Sequence, residues 1–348
     1  MKKERSPRNK TLTLTATDRE RLSPGVVRLA EPCSEEQVAD RIICGDLFEV
    51  VDCLPDAMAQ LIIADPPYNL DKQFGCSSFT ACSRQEYVDY LRRWIPAVCR
   101  KLSPTGSLYI CCDWGSSSAV EEVLRANLTV LNRITWQREK GRGATRNWKN
   151  AMEDIWFAVK DPNHYTFNLD AVKQQRKVIA PYRDNKGPRD WQQVGSEKFR
   201  ATCPSNIWDD ITIPYWSMPE NTEHPTQKPE KLIAKLILAS SNEGDLVFDP
   251  FGGSGTTAVV ANKLGRRYCS VEIDEEYCIT ALRRLEMAAD NRDIQGYTDG
   301  CFWDRNTTVA QMLTKRKKPA VSCGKKAAKS SEAKPAKPRR STKKQCDE

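Results

Sequence analysis

Apolar residues fall along this chain in two rhythms. Arg41–Cys44, Leu61–Ala64, Leu108–Cys112, Leu246–Asp249 and Tyr268–Glu272 are short, mostly apolar runs. They are too short for helices and lack the strict alternation of a half-exposed strand. They therefore predict strands of a parallel sheet covered on both faces. Between them, Gln85–Leu102, Pro229–Ser240, Thr256–Leu264 and Glu275–Met287 repeat apolar side chains at helical spacing. Pro229 suits a first helical turn, where its missing N–H costs nothing. Strands alternating with helices predict a doubly wound α/β domain.

Three stretches depart from this rhythm. Residues 137–220 hold five of the nine Trp, interleaved with Arg and Lys, and contain turn-rich pieces such as GRGATRNW and YRDNKGPRDW. They predict an inserted region mounted on the scaffold, its start still packing on the core. Residues 1–38 are polar and weakly patterned and are expected to be flexible. Residues 301–348 end in a run rich in Lys, Ala, Pro and Ser that cannot bury enough apolar surface to order itself. They predict a flexible basic tail. Residues 39–136 and 221–300 remain as two halves of one domain.

Charge sharpens this division. The chain of 348 residues is +8 overall, yet Lys315–Glu348 carries thirteen basic against three acidic side chains, and the first ten residues carry five against one. The folded part is therefore mildly acidic, and a nucleic-acid groove would have to come from local patches. No apolar run reaches membrane-spanning length, and no apolar stretch follows the basic start, so a cytoplasmic protein is expected. Fourteen scattered Cys without a Cys-x-x-Cys pair read as reduced thiols, and with only His164 and His224 beside them no metal site is expected.

Two strand ends carry candidate chemistry. In Val247-Phe248-Asp249-Pro250-Phe251-Gly252-Gly253-Ser254-Gly255-Thr256-Thr257 an apolar strand ends at an acid, a Gly-rich turn follows, and a helix begins. Gly253-x-Gly255-x-x-Ala258 matches a Rossmann-type turn, which lets backbone approach a ligand closely. Glu272, at the end of the next strand, could accept both hydroxyls of a ribose. No Gly-Lys-Ser/Thr follows, which excludes a P-loop. Spacing alone leaves NAD open, but Asp249 would repel a pyrophosphate and attract a cationic amino-acid moiety.

The second strand end is Leu61-Ile62-Ile63-Ala64-Asp65-Pro66-Pro67-Tyr68. Two prolines stiffen the turn and fix the Asp65 carboxylate, the Pro66 carbonyl and the Tyr68 ring in one geometry. The exocyclic amine of adenine or cytosine is a poor nucleophile because its lone pair is delocalised into the ring. Two acceptors aimed at its N–H bonds favour a pyramidal nitrogen whose lone pair can face a methyl donor. Such a base must first leave the duplex stack.

Together these segments resemble the catalytic and cofactor motifs of DNA amino-methyltransferases. The order, catalytic motif first, is similar to the circularly permuted beta class found in bacterial restriction–modification systems. His224-Pro225-Thr226-Gln227-Lys228-Pro229, Leu102-Ser103-Pro104-Thr105-Gly106-Ser107 and Asn150–Val172 also resemble that class. The resemblance spans roughly residues 40–290. It implies a Rossmann-like fold dependent on S-adenosylmethionine, with catalysis at Asp65, Pro66, Pro67 and Tyr68. The cofactor would lie on Phe248, Asp249, Pro250, Phe251, Gly252, Gly253, Ser254 and Gly255, with Glu272 at its ribose, Lys228 at its methionine end and Asp46 near its adenine. It also implies that residues 137–220 recognise double-stranded DNA, with Arg138, Lys140, Arg142, Arg146 and Lys149 as phosphate or guanine contacts.

In this family Asp at the first catalytic position goes mostly with adenine N6 and Ser with cytosine N4, so adenine is expected here and cytosine N4 is the alternative. Cytosine C5 chemistry needs a Cys nucleophile beside this turn, and none stands next to Pro66 or Pro67. An RNA or protein-amide methylase would carry Asn at position 65. A non-catalytic DNA binder led by its tail would not need both motifs. The resemblance further implies a bacterial or phage-infected cell, a homodimer and a cognate restriction endonuclease as expected company.

Overall fold

The computed structural model describes residues 6–138, 145–179, 183–185, 187–188, 190–307 and 310–312. Eight strands build its main sheet: β1 Arg41–Cys44, β2 Ala59–Ala64, β3 Leu102–Asp113, β4 Thr129–Gln137, β5 Met152–Val159, β6 Ile207–Trp208, β7 Leu246–Asp249 and β8 Arg267–Glu272. Their order across the sheet is β1-β8-β7-β2-β3-β5-β4-β6. β5 runs antiparallel to both its neighbours; the other pairings are parallel. This is the expected mostly parallel α/β sheet.

Successive residues in these apolar runs face opposite layers, as the pleat requires. Ile62, Leu108, Ile110 and Phe248 enter one core, together with helices α2 (Arg84–Lys101) and α3 (Ser117–Arg125). Leu61, Ile63, Tyr109 and Val247 enter the other, beneath α4 (Glu230–Ser240), α5 (Thr256–Lys263) and α6 (Glu275–Asp290). Both faces are covered, which is why these runs do not alternate apolar with polar residues. Among the described residues no helix is long and apolar enough to cross a membrane.

The outer side of α4 shows what sequence periodicity missed. Every residue of this helix is buried, including Glu230, Lys231 and Lys235. Buried charges of this kind survive only when paired. Lys235 lies 2.9 Å and Lys231 2.6 Å from the Asp210 carboxylate, while Glu230 meets Arg284 at 3.1 Å and Lys263 at 2.7 Å. The cover over Lys231 comes from a second, five-stranded sheet: its Nζ donates to the carbonyl of Trp303. That sheet runs Gln192–Val194, Glu197–Thr202, Gln174–Lys177, Cys301–Trp303, Tyr297–Thr298.

Three expected boundaries change accordingly. Residues 137–220 are not one insertion: β5 sits inside the main sheet and β6 closes its edge, and only the remainder contributes to the small sheet. Trp156 and Trp208 are thus core residues, whereas Trp148 and Trp216 are exposed. Residues 301–312 are not all tail, because Phe302 and Trp303 are buried in the small sheet and Ala310 packs with Trp303; the rest of the tail lies outside the described residues. Residues 6–38, though mostly exposed, are tied to the main domain at several points. Helix α1 (Ala16–Leu22) is closed by a Thr15–Asp18 capping box and tied to α6 by Arg19–Glu276 at 2.8 Å. Val27 bridges Ile43 of β1. These links join positions far apart in sequence, so local polarity gave no sign of them.

Candidate active site

Two adjacent parallel strands must deliver their C-terminal ends to the same edge of a sheet. β2 and β7 are such a pair, with Leu61 opposite Val247 and Ile62 opposite Phe248. The Asp65 turn and the Gly-rich turn therefore emerge side by side. Between them lies a cavity of about 240 Å³. Asp65, Pro66, Pro67 and Tyr68 line it from one tip; Asp249, Phe251, Gly252, Gly253 and Ser254 line it from the other, with Glu272 from β8 and Lys228 from the segment before α4.

The remaining expected cofactor residues do not line this cavity. Phe248 is fully buried in the core beneath it, and Pro250 is confined within the strand-end turn. Gly255 begins α5 with a left-handed φ of 76°, and a Cβ there would stand 2.4 Å from that of Ala281. Its role is to let α5 and α6 approach. Asp46 caps the one-turn helix Leu47–Val50 by accepting the Phe48 N–H at 2.9 Å, beyond β8 at the same edge.

The Gly-rich wall is held by side chains. Gly253 has φ 50°, and a Cβ on it would lie 2.9 Å from His224 Nε2. His224 is itself held edge-on against Tyr277, ring centroids 4.5 Å apart. Burial and the nearby Lys228 push the imidazole down to about 4, so it is neutral at pH 7 and unsuited to general-base work. Glu272 accepts the Gly253 N–H at 2.7 Å and the Asp274 N–H at 2.9 Å, locking the two strand ends together. Asp249 accepts the Phe251 N–H at 3.0 Å and is almost fully buried, which pushes its carboxyl up to about 7. A buried carboxylate in that state favours a cationic neighbour.

The catalytic wall holds more charge than its motif predicts. Lys228 Nζ lies 2.7 and 2.6 Å from the two Asp65 oxygens and 3.1 Å from the Tyr68 hydroxyl. The Tyr68 hydroxyl donates to Asp65 Oδ1 at 2.9 Å and reaches Glu153 Oε2 at 3.2 Å. Glu153 also stands 3.4 Å from Lys228 and pairs with Arg138. Burial disfavours the Lys228 charge, but the Asp65 and Glu153 carboxylates outweigh it and hold the ammonium well above its usual range. Burial and the same two carboxylates push the Tyr68 hydroxyl up, so it remains a donor. The Tyr87 hydroxyl donates to the Pro67 carbonyl at 3.0 Å and fixes the turn from behind.

Lys228, expected at the methionine end of a cofactor, is brought to the catalytic carboxylate. Glu153 was missed altogether. It is the second residue of β5, and because β5 is antiparallel its beginning lies at the edge where the parallel strands end. The available signal was an acid leading the apolar run of β5. Of the expected DNA contacts, Arg138 is part-buried against Glu153, Arg146 and Lys149 are exposed in the connection between β4 and β5, and Lys140 and Arg142 lie outside the described residues.

Comparison with known proteins identifies the family. The sequence model of the DNA methylase family of N6 and N4 methyltransferases matches residues 59–283. The chain is 36% identical over 266 residues to the DNA adenine methyltransferase YhdJ of Escherichia coli K12, covering 74% of this chain and 87% of that protein. It is 34% identical over 248 residues to the type II methyltransferase M.HpaI of Haemophilus parainfluenzae, covering 71% and 74%. Its fold is similar to that of the cytosine-N4-specific PvuII DNA methyltransferase, with a TM-score of 0.55 at 18% identity over 77% of this chain and 93% of that one. A Thermus thermophilus protein solved with S-adenosyl-L-methionine matches with a TM-score of 0.50 at 21% identity, covering 76% and 96%. With its two strand-end motifs facing one cavity and the family match spanning both, the chain belongs to the N6/N4 family of DNA methyltransferases.

Proposed function

We propose that this protein transfers a methyl group from S-adenosylmethionine to the N6 amino group of adenine, on a base turned out of double-stranded DNA. The observation that carries this reading is the shared cavity. An acceptor pair on a rigid Pro-Pro turn stands beside a Gly-rich turn with a buried, cation-seeking carboxylate.

The residues present suit the cofactor. Among the described residues Asp249 has no basic side chain as a hydrogen-bond partner, and a cationic ligand would relieve its desolvation. Phe251 and Gly253 would hold the donor, with Glu272 at its hydroxyls. Bound there, S-adenosylmethionine supplies an electrophilic methyl on a sulfonium. The chain's own part is positioning: the Asp65 carboxylate and the Pro66 carbonyl accept the two amine N–H bonds, and the Tyr68 ring supports the face of the base. Asp65 is the first acceptor for the proton that the methylated amine sheds. Exposed Arg146 and Lys149 are suited to phosphate contact beside this edge.

Adenine is favoured over cytosine by Asp65 at the head of the motif and by the adenine specificity in the name of the Escherichia coli relative. The test is incubation of unmethylated genomic DNA with the protein and labelled S-adenosylmethionine, followed by digestion to nucleosides and mass spectrometry. N6-methyladenine is the expected product. N4-methylcytosine would transfer the reading to cytosine, and absence of any methylated nucleoside would sink it.

A further inference from the structure

Two carboxylates compete for one buried ammonium in this site. Lys228 sits 2.6 Å from Asp65 and 3.4 Å from Glu153, and the Tyr68 hydroxyl spans the same two acids. The tie is broken by Arg138, which pairs with Glu153 and neutralises it. With Glu153 satisfied, the ammonium settles on both oxygens of Asp65. Those are the oxygens an exocyclic amine has to approach. The arrangement seen is thus a latched one, in which the acceptor is already engaged.

The latch is connected to the recognition side of the molecule. Lys228 and Glu153 are nearly closed off from solvent, at 7% and 5% side-chain exposure, while Arg138 is 35% exposed. Arg138 follows the end of β4, directly before residues 139–144, in the connection that carries Arg146 and Lys149. It is therefore the member of the network that a phosphate or a base edge can reach. A DNA group that draws the guanidinium outward leaves Glu153 without its counter-ion. Glu153 then equals Asp65 in charge and is the more deeply buried of the two, 5% against 21% exposed, so its less screened carboxylate draws Lys228. Movement of the ammonium from 3.4 Å toward contact with Glu153 withdraws it from Asp65 and frees that carboxylate for the amine.

We propose that Glu153 is a positioning residue for methyl transfer: it shares the Lys228 ammonium with Asp65, and release of Arg138 to DNA shifts that ammonium away from the catalytic carboxylate. This rests on the methyl-transfer reading above. No bond is made or broken in the step; two ion pairs exchange partners. Its consequence is that the recognition segment and the catalytic turn act together although no residue of one belongs to the other.

The experiment compares the full-length protein with Glu153→Gln, Glu153→Asp and Arg138→Gln. Methyl transfer to DNA is followed with labelled S-adenosylmethionine, and cofactor affinity is measured by calorimetry as a control for folding. Glu153→Gln cannot attract the ammonium, so kcat should fall at least about tenfold while KM for DNA changes little. Glu153→Asp keeps the charge and should recover much of that loss. Arg138→Gln should act mainly on KM for DNA, raising it at least about fivefold, with a smaller loss in kcat than Glu153→Gln. Loss of an ordinary structural ion pair would instead lower kcat and weaken DNA and cofactor binding alike, whichever partner was changed. Unchanged kcat in Glu153→Gln, or equal kcat losses in Glu153→Gln and Arg138→Gln, overturns the proposal. If Glu153→Gln does not bind cofactor, the Glu153→Asp and Arg138→Gln pair decides on the same kcat-against-KM split. Failure of the wild-type protein to methylate DNA would overturn the functional reading instead, and the two failures are thereby distinguishable.

Discussion

Replacing Asp65 separates the catalytic role from the structural one. Asp65→Ala removes the acceptor and leaves Lys228 with Glu153 and the Tyr68 hydroxyl. At an effective dielectric of about 20, the attraction of an ammonium to a carboxylate oxygen is roughly 6 kcal/mol at the Asp65 distance and roughly 5 kcal/mol at the Glu153 distance. The ammonium is therefore not orphaned, and the variant should lose stability at the low end for a broken buried pair, about 3 kcal/mol. It should still fold. Transfer is a different matter, because nothing else in the cavity wall can replace a carboxylate at the tip of β2. Loss of one oriented acceptor together with its charge should lower the transfer rate about 10³-fold, equivalent to about 4 kcal/mol in the barrier. Asp65→Asn keeps the shape and should lose nearly as much. The assay is single-turnover methylation of a DNA duplex alongside calorimetric titration with S-adenosylmethionine. Cofactor affinity should stay within about threefold of wild type, since Asp65 orients the amine and not the donor. If affinity and rate fell together, or if Asp65→Asn kept a rate within about tenfold of wild type, Asp65 would not be the acceptor.

Further outcomes follow from other parts of the site. Burial raises the Asp249 carboxyl from its unfolded value of 3.8 to about 7, so the folded state takes up its proton first and stability from this group is lost as pH rises between those values. Asp249→Asn should accordingly gain in Tm relative to wild type between pH 4 and pH 7, yet bind S-adenosylmethionine more weakly; a pH-independent Tm difference with unchanged affinity would refute this. Gly253→Ala places a Cβ 2.9 Å from His224 Nε2 on a left-handed residue. It should cost about 1–2 kcal/mol in denaturant unfolding, and His224→Ala in the same chain should restore part of it by removing the clash but not the strained φ. Deletion of residues 315–348 removes thirteen basic side chains and should flatten the salt dependence of DNA binding while methyl transfer persists; loss of methylation at every salt concentration would show that the tail belongs to the catalytic unit.

Sequence alone determined the local chemistry. The unbroken apolar runs of β2 and β7 specify strands covered on both faces, Pro66 and Pro67 specify a rigid turn, and Gly253 and Gly255 specify backbone that side chains could not follow. These properties depend on a few neighbouring residues, and so they can be read in order along the chain. The tertiary structure alone decided who meets whom. Glu153 enters the site because β5 runs against its neighbours, and no local pattern reports the direction of a strand within a sheet. Lys228 meets Asp65 because the segment before α4 is laid across the tip of β2, 163 positions away in sequence. Lys231 and Lys235 could be buried because Asp210 arrives from another segment to pair with them. Residues 16–22 are ordered because they meet α6, hundreds of positions away, and residues 301–303 because they enter a second sheet. Hydrophobic periodicity records which way a side chain faces; long-range pairing, which sets the charge and shape of the cavity, exists only once the chain has closed on itself.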